Sequence, residues 1–208
     1  MTLAVSGMLW EQSLVMVDKE TRSYWSQLLG RAMKGPMKGE SLEVIPSVVT
    51  DWATWRERYP QTTVAVFDRS YTSFHRSSHR QHEHLLIGLV DGSKSRYWFF
   101  ESLREHPVIN DEFGEQAILV CYDLPAGTAG IFSRKLGAET ATFVERGEDL
   151  IDRATGTVWD RVTGQAISGS LRGRQLARLN GVVSLDLAWA TFHPDSQPGK
   201  HGLPSRAR

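Results

Sequence analysis

The sequence predicts a β-rich α+β fold made of two pseudo-equivalent antiparallel β units from an internal duplication, each with a short helix that carries tryptophan. Residues 18–60 align without a gap on residues 152–194, with 12 identical residues in 43 positions. Short apolar runs separated by turn residues are typical of antiparallel sheets. The identical residues set turns or anchor cores, and in the first copy they are Asp18, Thr21, Trp25, Gly30, Ala32, Gly35, Gly39, Leu42, Val48, Val49, Trp55 and Pro60.

Each copy begins with the pattern of a β-hairpin. An apolar run ends at Asp18 in the first copy and at Asp152 in the second, and a threonine follows three residues later. Aspartate caps such turns because its side chain bonds the backbone of the next residues. We therefore expect a return strand in each copy, with Trp25 or Trp159 on the buried face.

The glycines that follow the hairpin indicate structure rather than ligand binding. Residues 30–39 and 164–173 each contain glycines at the same three relative positions, which is typical of short strands and bulges. A phosphate-binding loop needs Gly-x-x-x-x-Gly-Lys-Ser/Thr or Gly-x-Gly-x-x-Gly, and neither segment has it.

A short helix is predicted at the end of each copy, over residues 50–60 and 184–194. In the first copy Thr50 or Asp51 can cap the helix and Pro60 stops it. Trp52 and Trp55 are three residues apart and so share one face. We expect this face to cover the sheet.

The remaining stretches complete the domain organisation. Residues 68–84 are polar and predict a loop, residues 85–145 contain short β-like runs, and the tail from residue 196 is rich in proline, glycine and basic residues, which predicts disorder. The predicted parts, packed as one body, are a truncated first repeat (1–67), the histidine-rich loop (68–84), the second repeat (85–195) and the disordered tail (196–208).

Composition excludes several classes of protein. The 24 basic and 24 acidic residues balance, which argues against a nucleic-acid binder. Cys121 is the single cysteine, so neither an intrachain disulfide nor a cysteine-cluster metal site can form. No apolar run is long enough for a transmembrane helix, and the first residues lack the basic start of a signal peptide. We expect a cytoplasmic protein as the chain stands, or an extracytoplasmic one if a leader has been removed.

Several ordered motifs resemble a known family. They are Ser6-Gly7, Trp25-Ser26-Gln27, the glycine pattern from Gly30 to Gly39, Trp52-x-x-Trp55-x-x-x-x-Pro60, His106-Pro-Val-Ile-Asn110-Asp111 and Phe132-Ser133-Arg134. In this order they resemble the domain-of-unknown-function family 3179 of bacteria and archaea. The family has no established activity, so the resemblance implies a fold relationship rather than a function.

The resemblance also indicates a departure. The family's first repeat has a front half that contains a Tyr-Cys-Pro-Leu-Cys-Gly-Thr-Ala type of segment, and the resemblance leads us to expect that the first repeat here lacks it. The equivalent in the second repeat is Tyr122–Ala129, where Asp123 and Ala126 stand at the cysteine positions. The resemblance therefore implies that thiolate metal or redox chemistry is absent here.

A histidine cluster is the first candidate site. His75, His79, His82 and His84 are spaced so that neutral imidazoles could close on zinc, copper or nickel. The flanking serines and arginines equally favour a solvated loop. A transition metal is thus an alternative, and no other cofactor is predicted.

A second candidate consists of Tyr97, Asn110, Asp111 and Arg134, which would bind a ligand if they converged in a cleft. The competing interpretation is that Asn110 and Asp111 bond their own backbone in a turn. The sequence contains no nucleophile elbow, no His-Glu-x-x-His and no paired-carboxylate motif.

These observations give three hypotheses for function. The first is a non-catalytic binding or interaction module, such as an accessory subunit, whose protein partner or second copy covers the place of the missing front half. The second is a metal-binding protein that uses the loop from His75 to His84. The third is an enzyme with an unrecognised pocket near Asn110, Asp111 and Arg134.

Overall fold

A computed structural model describes residues 1–11, 13–65 and 84–203, and over these residues the protein is β-rich with three short helices. The strands are β1 (Leu3–Trp10), β2 (Ser13–Asp18), β3 (Tyr24–Ser26), β4 (Arg31–Lys34), β5 (Leu85–Asp91), β6 (Lys94–Phe99), β7 (Val108–Phe113), β8 (Gln116–Asp123), β9 (Thr128–Ser133), β10 (Lys135–Leu136), β11 (Glu139–Thr140), β12 (Phe143–Arg146), β13 (Asp149–Asp152), β14 (Val158–Trp159), β15 (Ala166–Ser168), β16 (Val182–Leu185) and β17 (Gln197–Pro198). The helices are α1 (Trp52–Arg58), α2 (Phe100–Glu105) and α3 (Asp186–Phe192).

Residues 1–65, which we call unit one, contain one antiparallel sheet in the order β1-β2-β3-β4. The predicted hairpin turn is present: the carboxylate of Asp18 accepts hydrogen bonds from the backbone amides of Thr21 and Ser23 and from the indole of Trp25. Trp25 is buried, as its position on the return strand predicts. These bonds explain why aspartate and tryptophan stand at these positions.

Residues 84–203, which we call unit two, contain a matching sheet in the order β12-β13-β14-β15. Its backbone hydrogen bonds repeat those of unit one at equivalent positions. Leu42 donates to the Gly30 carbonyl as Leu176 donates to that of Gly164, both at 2.7–2.9 Å. Tight packing of Gly35 on Ser23 likewise recurs between Gly169 and Thr157.

Three further sheets and the helices α2 and α3 also belong to unit two. The sheets have the orders β7-β8-β9, β16-β5-β6-β17 and β10-β11. Apolar side chains of β5, β6, α2, β8 and β9 form the main core, which includes Trp98, Phe100, Ile118, Val120 and Ile131. Most of the short apolar runs predicted between residues 85 and 145 therefore contribute to this core.

The start of the tail differs from the prediction of disorder at residue 196. Residues 197–198 form β17, which pairs in parallel with β6, and the Gly199 amide donates to the Tyr97 carbonyl at 2.9 Å. Gly199 lies so close to the ring of Trp98 that a Cβ atom would clash with it. Composition alone could not show that the edge of β6 accepts this segment.

Candidate functional site

The structure gives Asn110 and Arg134 backbone partners. The side chain of Asn110 bonds both the amide and the carbonyl of Phe143, at 2.8 and 2.7 Å, and so holds β12 against β7. The buried guanidinium of Arg134 donates to the carbonyls of Ile118, Ala141 and Asp111. These contacts stabilise the fold.

Asp111 on β7 and Tyr97 on β6 belong to different sheets and have different surroundings. Asp111 accepts from the guanidinium of Arg96 at 3.3 Å and from the backbone amide of Lys200 at 2.9 Å. Tyr97 is buried in the core beside Trp189. Arg134 is thus brought next to Asp111, whereas Tyr97 faces a different cluster, and ligand binding by the four residues stays a prediction.

The histidine cluster falls mostly on residues 75–82, which lie outside the described residues. Only His84 is described, and it is exposed at the start of β5. Within residues 1–11, 13–65 and 84–203 there is no group of three or more metal-ligating side chains. Metal binding by the loop remains a prediction.

A charged cleft lies where helix α1 meets unit two. Its volume is about 470 Å³. The guanidinium of Arg58, the last residue of α1, bridges two carboxylates of unit two: its Nε lies 3.0 Å from Asp160 Oδ2 and its Nη2 lies 3.2 Å from Asp123 Oδ2. All three side chains are largely buried, which strengthens their attraction. We call this contact the Arg58 bridge.

Asp123 has a structural role at the position where the family resemblance places a cysteine. Its second carboxylate oxygen accepts from the amide of Ala126 at 2.8 Å and so caps the turn after β8. Cys121 lies two residues before Asp123 on β8, and burial raises the pKa of its thiol to about 12. That thiol remains protonated and donates to the carbonyl of Arg161 at 3.4 Å, so it is not a nucleophile at neutral pH.

Among the described salt bridges, none joins α3 to unit one as the Arg58 bridge joins α1 to unit two. Ser26 of unit one stands at the position of Asp160, and Phe192 of α3 stands at the position of Arg58. Phe192 instead packs edge-on against Trp10 of unit one, with ring centroids 4.8 Å apart. Sequence reasoning missed this contact, although an aspartate opposite a serine in the aligned segments could have signalled it.

Helix α3 is covered by the sheet of its own unit. Trp189 is 1% exposed and packs on Leu86, Tyr97 and Phe99 of the β5–β6 hairpin. Gly88 of β5 lies directly under its ring, where a Cβ atom would come within 2.1 Å.

Helix α1 has the same internal geometry, but no described strand covers it as the β5–β6 hairpin covers α3. Trp55 Nε1 donates to Thr62 at 3.0 Å, as Trp189 Nε1 donates to Ser196 at 2.9 Å. The Trp55 ring lies 4.3 Å from that of Tyr59, as the ring of Trp189 lies 4.3 Å from that of His193. Yet α1 contains no buried residue, and Trp55 is only partly buried.

The backbone before α1 is also unpaired. Val182–Leu185 form β16 and bond to β5, whereas the equivalent residues 48–51 belong to no strand. Among the described hydrogen bonds, none involves a backbone amide of residues 44–50. Unpaired amides beside apolar side chains are what an added strand can use.

Apolar side chains along this stretch are exposed. We define residues 44–59 as the exposed segment. Ile45 is 78% exposed and Trp52 is 51% exposed. Exposed apolar residues concentrated in one segment mark interaction surfaces more often than scattered ones do. The segment's large exposed apolar residues are Val44, Ile45, Val49, Trp52 and Tyr59.

Two titratable groups show how the units differ in their surroundings. Burial of the Asp18 carboxyl opposes its ionisation, but hydrogen bonds from Trp25, Thr21 and Ser23 outweigh burial and hold its pKa well below the usual range. At the end of α3, burial lowers the pKa of His193. The imidazole of His193 is thus kept neutral against the ring of Trp189.

Comparison with known proteins identifies a family. The model of the family described as "Protein of unknown function (DUF3179)" matches residues 1–196, so the chain belongs to this family. No curated protein and no solved structure matches the chain. Among the described residues, no helix has both the length and the apolar character that a membrane span requires.

Proposed function

We propose that the protein is a non-catalytic interaction module, an accessory subunit that binds another polypeptide through the exposed segment of unit one. The observation that carries this proposal is the contrast between Trp189, which is 1% exposed under the β5–β6 hairpin, and α1, which has no buried residue. Because α1 and α3 have the same hydrogen bonds and ring contacts, we expect α1, like α3, to pack against a pair of strands.

The proposal treats the two units as products of an internal duplication. Support comes from 12 identities in 43 aligned positions and from the matching hydrogen bonds of the two glycine segments. The helices also match, because α1 and α3 have seven residues each and begin 134 positions apart, at Trp52 and Asp186. If the units share an origin, the cover of α3 indicates what α1 lacks.

The Arg58 bridge supports a binding role because it fixes α1 before a partner arrives. Its two ion pairs join α1 to Asp123 and Asp160 of unit two, and Thr50 Oγ1 donates to the Ala126 carbonyl at 3.4 Å. A helix already held in place loses less conformational entropy on binding than a mobile one.

Site-specific photo-crosslinking tests the proposal. A photoreactive phenylalanine analogue would replace Trp52 in one variant and Leu187 in a matched control. Leu187 is equally exposed, on α3. The variants would be irradiated in extracts of the source cells and as concentrated purified protein. We expect position 52 to give a covalent adduct of one defined mass and position 187 to give none. Equal yields at both positions, or no adduct at either, would contradict the proposal.

A further inference from the structure

We infer that the partner binds by strand addition: it presents a β-hairpin whose first strand pairs antiparallel with residues 48–51 and carries a glycine under the ring of Trp55. This inference rests on the proposed function and specifies the chemistry of the partner. Among the described residues, the contact between α3, β16 and the β5–β6 hairpin shows how such a helix is covered.

The backbone pairing of β16 defines the register. Val182 lies opposite Gly88 and Leu185 lies opposite Leu85, in an antiparallel ladder of four residue pairs. Residues 48–51 precede α1 as Val182–Leu185 precede α3, and both segments begin with two valines. An added strand with the register of β5 would satisfy backbone amides that have no partner among the described residues.

Side-chain packing explains why the partner's strand must carry a glycine. The ring of Trp189 occupies the space where a Cβ atom at position 88 would lie, within 2.1 Å of the ring. In the strand ladder Gly88 lies opposite Val182, whose equivalent is Val48. Because Trp55 is held by the same indole hydrogen bond as Trp189, a strand seated on α1 needs a residue without a side chain opposite Val48.

The second strand of the hairpin supplies aromatic cover. Tyr97 and Phe99 are two residues apart on β6, so both face the same side of the sheet, and both pack in the cluster of Trp189. Leu86 of β5 joins them. A single added strand could not surround the indole in this way. We therefore assign a hairpin with apolar or aromatic residues at alternate positions as the partner.

The β5–β6 hairpin itself is a suitable probe. Residues 85–99 would be fused to a soluble fluorescent carrier, and their binding to the full chain would be measured by anisotropy. We expect saturable one-to-one binding. Gly88→Val in the probe and Val49→Asp in the chain should each weaken binding at least about tenfold, because one blocks the approach to Trp55 and the other places a charge beside the new strand. Leu187→Glu in the chain should leave binding unchanged.

The outcomes separate this inference from the proposed function. A partner crosslinked at position 52, together with a probe that does not bind, would overturn strand addition and leave the interaction module intact. Absence of both would overturn both. Probe binding that the Gly88→Val change does not weaken would contradict the predicted register. A dimer of the chain formed by exchange of its own hairpin would show that a second copy, not a separate partner, supplies the strand.

Discussion

Helices α1 and α3 are a pair within one molecule: they have equal length, the same indole hydrogen bond and the same ring contact at the C-terminal end. They differ in what lies against them. The β5–β6 hairpin buries Trp189, whereas Trp55 is only partly buried and its helix contains no fully buried residue. Local sequence thus determines the helix and its turn, and a strand from elsewhere determines whether the tryptophan becomes part of a core.

Substitution of the two tryptophans should give the largest difference. Trp189→Ala removes a fully buried ring and leaves a cavity, so we expect a loss of about 3–5 kcal/mol in the free energy of unfolding. Trp55→Ala should cost less, about 1–2 kcal/mol, because the ring is only partly buried. Denaturant titration of both variants measures the difference. Equal losses of unfolding free energy would mean that the two tryptophans contribute equally to stability. That result would contradict the difference between α1 and α3.

A substitution at Gly88 tests how closely the β5–β6 hairpin packs on the ring of Trp189. Gly88→Val places atoms where the Trp189 ring lies, and overpacking of this kind costs about 1–3 kcal/mol. In a Trp189→Ala background the added side chain fills the vacated space, so the cost should fall below that of Gly88→Val alone. A double-mutant cycle on the free energy of unfolding measures this coupling. A coupling near zero would show that the glycine is required for another reason.

The Arg58 bridge should contribute less than the packing of Trp189. Arg58→Gln leaves Asp123 and Asp160 without their shared cation, and we expect a loss of about 1–2 kcal/mol that shrinks at high salt. Arg56→Gln on the exposed side of the same helix is the matched control, with an expected effect below about 0.5 kcal/mol. If the two variants are equally stable, the bridge does not hold α1 in place.

His193 provides the smallest effect, visible as a pH dependence. Burial lowers its pKa, so the unfolded chain takes up a proton at higher pH than the folded protein does. The stability associated with the neutral imidazole is full above pH 6.5, the usual value, and is lost as the pH falls from there through the folded-state pKa. His193→Tyr, which copies Tyr59 of the other unit, should flatten this part of the stability profile.

The control for that profile is His84→Asn, which alters an exposed histidine just before β5. We expect it to change the free energy of unfolding by less than about 0.5 kcal/mol. A profile that His193→Tyr leaves unchanged would show that another group titrates in this range.

Features that depend on neighbouring residues could be predicted from the sequence. The turn at Asp18, the buried Trp25 and the cap of α1 at Asp51 all follow from residues within a few positions of one another. The Arg58 bridge could not be predicted, because Arg58 and Asp160 are 102 positions apart and each residue type is common on surfaces. Nor could the pairing of β17 with β6, since an edge that accepts a strand is visible only once the sheet exists.

The same limit applies to the candidate sites. From the sequence, Asn110, Asp111 and Arg134 would bind a ligand if they converged in a cleft. In the structure Asn110 bonds the backbone of β12 and Arg134 bonds the backbone of β8, and only the pairing of strands distant in sequence brings these groups within reach. The exposed segment, in contrast, became a candidate only when the segment aligned with it was seen to be covered.

Hydrogen exchange of the backbone amides tests the central claim most directly. In the full chain alone, amides of residues 48–51 should exchange quickly, whereas those of Val182–Leu185, paired with β5, should exchange slowly. Saturation with the probe of residues 85–99 should slow the exchange of residues 48–51 and leave that of Val182–Leu185 unchanged. Slow exchange of both segments without the probe, or no change at residues 48–51 with it, would contradict the account.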